Sequence, residues 1–193
     1  MLKKFKQFLA EALDLSKFEL TPGKKKVNIF IGRLQPPHKI HIKRLIDGDI
    51  TELFLVKGAK SDPAKSPFPF EIQEELIKAI FKNKVRVYPL QSAFIGDVIN
   101  ILRKENKEPS KLFCGTDREA TYKDQVKRYS KDLNMEMTVE VFDRVSTDTI
   151  SGTDVRNSLK NSDEEAGFAD FQKYMPAEVA TKDWYNKLKK YVQ

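Results

Sequence analysis

The chain has 193 residues, enough for one domain with terminal additions and a substantial core, and a composition 40% hydrophobic and 10% aromatic excludes a disordered protein. More than half of the net charge of +7 lies in residues 1–26, where seven lysines face Glu11, Asp14 and Glu19. The remainder is only mildly basic, so charge alone predicts no nucleic-acid-binding surface.

The first 26 residues read as a basic amphipathic leader and connector. Leu2, Phe5, Phe8, Leu9, Ala12, Leu13 and Leu15 fall on one helical face. Glu11 and Asp14 interrupt what would otherwise be a signal-peptide core. Thr21-Pro22-Gly23 then breaks the helix, and Lys24 to Lys26 read as a solvated connector. An apolar stripe of this kind must be covered, by the domain's own core, by a protein partner or by an anionic membrane surface.

From residue 27 the pattern alternates. Strands are predicted at Val27 to Ile31, Leu53 to Val56, Val85 to Leu90, Lys111 to Cys114 and Met137 to Phe142. Helices are predicted between them, at Ile40 to Ile46, Phe70 to Phe81, Ala93 to Lys104 and Asp117 to Leu133. Most of these strands are continuous apolar runs, as in a parallel sheet covered on both faces. The expected fold is therefore α/β, with a doubly wound parallel five-stranded sheet over residues 27–160. Two further helices, Ala166 to Tyr174 and Glu178 to Tyr191, form a helical C-terminal cap over 161–193, with Pro176 just inside the start of the last. No apolar run approaches the roughly 20 residues of a membrane span. The lone Cys114, read as a small buried hydrophobe, allows no internal disulfide and fits a reducing, cytoplasmic setting.

Two short motifs carry the chemistry. Gly-Arg-Leu-Gln-Pro-Pro-His-Lys-Ile-His runs from Gly32 to His41 directly after the first strand. Ile-Ser-Gly-Thr-Asp-Val-Arg runs from Ile150 to Arg156 and opens a helix. Each offers donors, fixed positive charge and a helix N-terminus, which is what a nucleoside triphosphate needs. Gly32 lets a phosphate approach the backbone, and Arg33 can grip it in two places. Gln35 and Pro36 shape the loop. Ser151 and Thr153, flanking Gly152, are candidate caps, and Arg156 can reach the side of Thr153. Gly115-Thr116-Asp117 ends the fourth strand, and Lys57, Lys60 and Lys65 follow the second. Each of these also has a plain structural use, as cap, turn or solvated charge. Neither GxGxxG nor GxxxxGK[ST] occurs, which argues against a dinucleotide fingerprint or a P-loop.

The stretch GRLQPPHKIH resembles the GRFxPxHxGH signature of the HIGH-type nucleotidyltransferases, the superfamily of nicotinamide-mononucleotide adenylyltransferases and cytidylyltransferase-like enzymes. ISGTDVR is similar to that superfamily's ISSTxIR signature, which appears as SGTEIR in the archaeal nicotinamide enzymes. SPFPFEIQEEL (66–76) and LFCGTDRE (112–119) look like the corresponding stretches of cytidylyltransferase-like proteins of tailed phages, and the likeness runs in order over residues 27–159. The start of the chain resembles the FxxFLxE leaders of some tailed-phage proteins.

The resemblance implies a Rossmann-like nucleotidyltransferase fold, with His38, His41 and Arg156 as catalytic residues. It implies nucleotide binding by Gly32, Arg33, Gln35, Gly115, Asp117, Ser151, Gly152 and Thr153, and no metal held by the protein itself. The expected reaction moves a nucleotidyl group from a triphosphate, ATP first, to a small phosphorylated acceptor, with release of pyrophosphate. Nicotinamide mononucleotide is the first-choice acceptor, in NAD biosynthesis, and Mg²⁺ accompanies the triphosphate. Cytidylyl transfer from CTP is the alternative enzyme. A nucleotide-binding or phage assembly protein without turnover is the alternative class, in a host cytoplasm, with homo-oligomers and a partner for the leader left open. Two positions depart from the pattern. Ile40 stands where the family has the Gly of HxGH, against which base and ribose lie, and Gln73 stands where the archaeal enzymes have Arg.

Overall fold

A computed structural model describes residues 25–57, 65–142 and 150–192. Five strands form one parallel sheet: β1 (Lys25–Gly32), β2 (Glu52–Val56), β3 (Arg86–Leu90), β4 (Lys107–Gly115) and β5 (Thr138–Phe142). Their spatial order is β3-β2-β1-β4-β5. The connecting helices are α1 (Lys39–Asp47), α2 (Phe70–Phe81), α3 (Ile95–Lys104) and α4 (Glu119–Leu133), the last preceded by a 3₁₀ turn at Thr116–Arg118. After β5 come α5 (Gly152–Lys160), α6 (Glu164–Tyr174) and α7 (Lys182–Lys189).

The apolar residues sort the helices onto two faces. Ile42 and Leu45 of α1, Ile72 and Leu76 of α2, and Val155, Phe171 and Tyr185 of α5 to α7 share one core with Leu53 and Leu55 of β2. Ile99 of α3 and Tyr122 and Val126 of α4 share the other with Ile29 and Ile31 of β1. The strand order grows outward from β1 through β2 to β3, then restarts on the other side with β4. That reversal puts the topological switch between the carboxyl ends of β1 and β4, where open parallel sheets bind ligands.

Several boundaries differ from expectation. Lys25 and Lys26 are not a connector but the exposed first residues of β1, opposite Lys107 and Glu108. The leader's apolar face and its Thr21-Pro22-Gly23 break lie outside the described residues. β4 begins four residues early, because polar Lys107 is buried in an ion pair with Glu52 (2.9 Å) and with Glu105 (2.7 Å). Tyr88 donates to Glu52 at 2.8 Å and to Glu105 at 2.9 Å; burial and these carboxylates push its phenol well above the usual range. Val27 faces Pro109 but Asn28 faces Lys111, so Ser110 is the extra residue of a bulge. At the other end of the chain, the last helix starts at Lys182, where the Thr181 hydroxyl caps the Trp184 N–H. Pro176 therefore lies in the turn before it, where its carbonyl accepts from Val179 N–H. Among the described residues, no helix is long and apolar enough to cross a membrane.

Candidate active site

The first signature leaves the end of β1 as a tight loop. Leu34 takes a left-handed backbone (φ 39°), and the Gln35–Pro36 bond is cis. The Gln35 amide donates to the Phe68 carbonyl (2.9 Å) and accepts from its N–H (3.0 Å). Gln73, buried in α2, donates to that same carbonyl (3.1 Å). Gln35 thus holds the loop to the segment before α2, Gln73 holds that segment to α2, and Gln35 does not line the cleft. His38 is the N-cap of α1 and is 3% exposed, while His41 lies in the first turn and is half-buried. Their ring centroids are 3.8 Å apart. Lys39 between them points away and donates to the Gln172 and Lys173 carbonyls at the end of α6. Such a site, at the negative end of a helix, suits a cation.

The second signature forms a capping box. Ser151 Oγ accepts from Asp154 N–H (3.3 Å), and the Asp154 carboxylate accepts from Ser151 N–H (2.7 Å). The Ser151 hydroxyl also donates to that carboxylate, and these bonds hold it below the usual carboxylate range. The two signatures meet at the Gln35 carbonyl. The Arg156 guanidinium donates to it and, at 2.8 Å, to the Thr153 hydroxyl. A Cβ at Gly152 would lie 2.6 Å from the same oxygen, so only glycine permits this approach.

The joined signatures border a cleft of about 410 Å³ over the switch point. Gly32, Arg33, His38, His41, Gly115, Asp117, Ser151 and Gly152 line it; Thr153 and Arg156 do not. Exposed Lys57 and Lys65 also lie off its walls, and Lys60 is outside the described residues. The cleft straddles the sheet. Phe30, Leu34, Leu45 and Phe142 come from the core that includes α1, while Ile31, Val56, Ala93 and Tyr122 come from the opposite one. Among the described residues its charged lining is mostly cationic, and Asp117, 3.5 Å from Arg118, is the carboxylate there. Among the described residues no group of three His, Cys, Asp or Glu could hold a metal. Cys114 is fully buried, and burial pushes its thiol up to about 11.

Solved structures with this architecture exist. A Plasmodium falciparum nicotinic acid mononucleotide adenylyltransferase superposes with a TM-score of 0.53 at 16% identity, over 86% of this chain and 98% of that one. A Vibrio parahaemolyticus protein described as a nicotinate-nucleotide adenylyltransferase gives 0.54 at 18% identity, over 81% and 96%. The NadR protein solved with NR gives 0.51 at 17%, over 69% of this chain and 41% of that one. The fold is that of the HIGH-type nucleotidyltransferases. No family model matches the chain, and no curated protein matches it significantly in sequence.

Within this nucleotidyltransferase fold the cleft also holds Phe30, Arg44, Tyr122 and Phe142, which the motifs did not reveal, and Arg118, which lies in LFCGTDRE but was given no role there. Helix phase could have found Arg44, which follows Ile40 by four residues and His41 by three, on one face of α1. Phe142 carried no sequence signal beyond closing a strand.

Proposed function

We propose that this protein transfers a nucleotidyl group from a nucleoside triphosphate to a phosphate-bearing acceptor and releases pyrophosphate. The observation that carries the reading is the junction at Gln35. It brings the N-termini of α1 and α5, with His38 and His41, to the rim of one cationic cleft. An acceptor phosphate oxygen attacks the α-phosphorus; that P–O bond forms as the bond to the bridging oxygen breaks, and pyrophosphate leaves with the electron pair. The protein's work is positioning and charge stabilisation. His38 and His41 donate to the phosphate oxygens as charge builds there, and Arg33 adds a fixed positive charge. Helix N–H groups after Ser151 face the tail, and Arg156 holds the loop that carries the histidines. Among the described residues no carboxylate cluster would hold a metal, so Mg²⁺ would arrive on the triphosphate and, when bound, would neutralise charge on the leaving pyrophosphate.

ATP with nicotinamide or nicotinate mononucleotide is the substrate pair that the fold neighbours' names support, and it would place the reaction in NAD biosynthesis. Cytidylyl transfer from CTP is the second reading, because Ile40 lines the cleft and leaves less room for a purine than a glycine would. The test is exchange of labelled pyrophosphate into ATP, CTP, GTP and UTP, with and without a mononucleotide acceptor. Exchange into one triphosphate is expected. Triphosphate binding with no exchange under any condition would leave a binding protein in place of an enzyme.

A further inference from the structure

Helix α1 carries its histidines at the end that its apolar residues do not anchor. Its buried residues are Ile42 and Leu45, past the first turn, and that turn holds no acidic residue to offset the helix dipole. At about 3.6 residues per turn, His38 and His41 lie roughly 60° apart about the axis, and Lys39 lies on the far side from both. The Lys39 ammonium reaches across to the end of α6. It donates there to the Lys173 carbonyl at 2.8 Å and to the Gln172 carbonyl at 3.2 Å. Carbonyls in the last turn of a helix lack partners within it, and the negative end of the dipole adds attraction for a cation. Lys43, one turn further along α1, pairs instead with Asp47 of its own helix.

We propose that Lys39 is a positioning residue for the histidine pair, and that the end of α6 is the anchor it uses. A clamp on the side away from the rings fixes how the first turn of α1 is rotated about its axis. A small rotation there moves both rings together, and a misplacement of about 1 Å at a reacting group can cost about 100-fold in rate. Lys39 does not line the cleft, so the clamp acts on the placement of the rings and not on the binding of substrate. Two carbonyls 133 and 134 residues away in the chain receive this ammonium, which makes the C-terminal cap a part of the histidine site without touching its ligands. The effect on turnover rests on the nucleotidyl-transfer reading; the effect on the rings is read independently of it.

The experiment compares Lys39→Met, Lys39→Arg and Lys43→Met with the unaltered full chain. His38 and His41 are the only histidines in the sequence, so the imidazole carbon–proton NMR signals report those two rings alone. Lys39→Met is expected to shift these signals. It should lower kcat for pyrophosphate exchange about 10-fold or more, with KM for the triphosphate changed less than about twofold. Lys39→Arg keeps a cation that can donate to both carbonyls, and should restore the signals and most of kcat. Lys43→Met removes the same charge from the same helix and should leave both unchanged. If Lys39→Met does not melt cooperatively, Lys39→Gln, too short to reach α6, is measured in its place. Unshifted histidine signals in the Lys39 variants overturn the clamp, as does a Lys43→Met variant that reproduces the changes. Shifted signals with kcat unaltered overturn the positioning role. Absence of pyrophosphate exchange in the unaltered chain overturns nucleotidyl transfer, and the role in turnover with it, whatever the spectra show.

Discussion

His38 and His41 sit with their rings 3.8 Å apart, one at the N-cap of α1 and one in its first turn. On the proposed nucleotidyl transfer, donors in that position would meet charge that grows toward the transition state, so their removal should cost turnover more than affinity. His41→Ala is expected to lower kcat by roughly 100-fold or more with a smaller change in triphosphate binding. Unchanged kcat in both His41→Ala and His38→Ala would remove them from the chemistry. Gly152 makes a different demand. A methyl group there would press on the Gln35 carbonyl, a backbone atom that cannot swing aside. Gly152→Ala should therefore push the signatures apart and cut exchange activity while the chain still melts cooperatively; full activity in that variant would show that the junction is not needed. The histidines and Gly152 were legible because their motifs are contiguous. The partners of Gln35 were not, since Phe68 is 33 residues away and contributes only backbone atoms.

Elements were legible where one period dominated. α2 matches its expected span of Phe70 to Phe81 because its apolar residues keep helical phase and Pro69 precedes it. The first half of β4 was hidden, since Lys107-Glu108-Pro109-Ser110 reads as a loop. A buried ion pair and a bulge make it a strand, and neither leaves a local signature. At α5 the capping box sets a pH dependence. The Asp154 carboxyl is held below its usual value by Ser151, so its contribution to stability is present above the unfolded value of about 4 and is lost as pH falls through the depressed folded value. Asp154→Asn removes the charge and retains one acceptor. The stability advantage of the unaltered chain over this variant, measured by thermal melts, should be present at pH 7 and shrink toward pH 3. An advantage that did not change with pH would mean that the charge contributes nothing to the cap.

At the scale of the molecule, the parallel doubly wound sheet follows from the alternation of strands and helices, and the position of the cleft follows from the strand order that the structure adds. What alternation could not foretell is how the segment after α5 is built in. Phe171, Met175, Val179, Tyr185 and Leu188 are fully buried and share one core with α1, α2 and β2. The Phe171 and Phe168 rings both stand edge-on to Tyr185, at 5.5 Å, and the Tyr185 hydroxyl reaches the Ser158 carbonyl of α5. Lys39 ties the end of α6 to the start of the histidine helix. The cap thus supports α1 and α5, and none of its described residues lines the cleft. Phe171→Ala should cost about 3–5 kcal/mol, as large truncations of buried aromatics do, against a total of about 5–15 kcal/mol for a domain. The expected result is a melting temperature lower by many degrees, with triphosphate affinity near normal well below the new transition. An unshifted melting curve would mean that the cap is not part of the core. A loss of affinity at temperatures where the variant is fully folded would mean that the cap shapes the cleft directly, beyond supporting it.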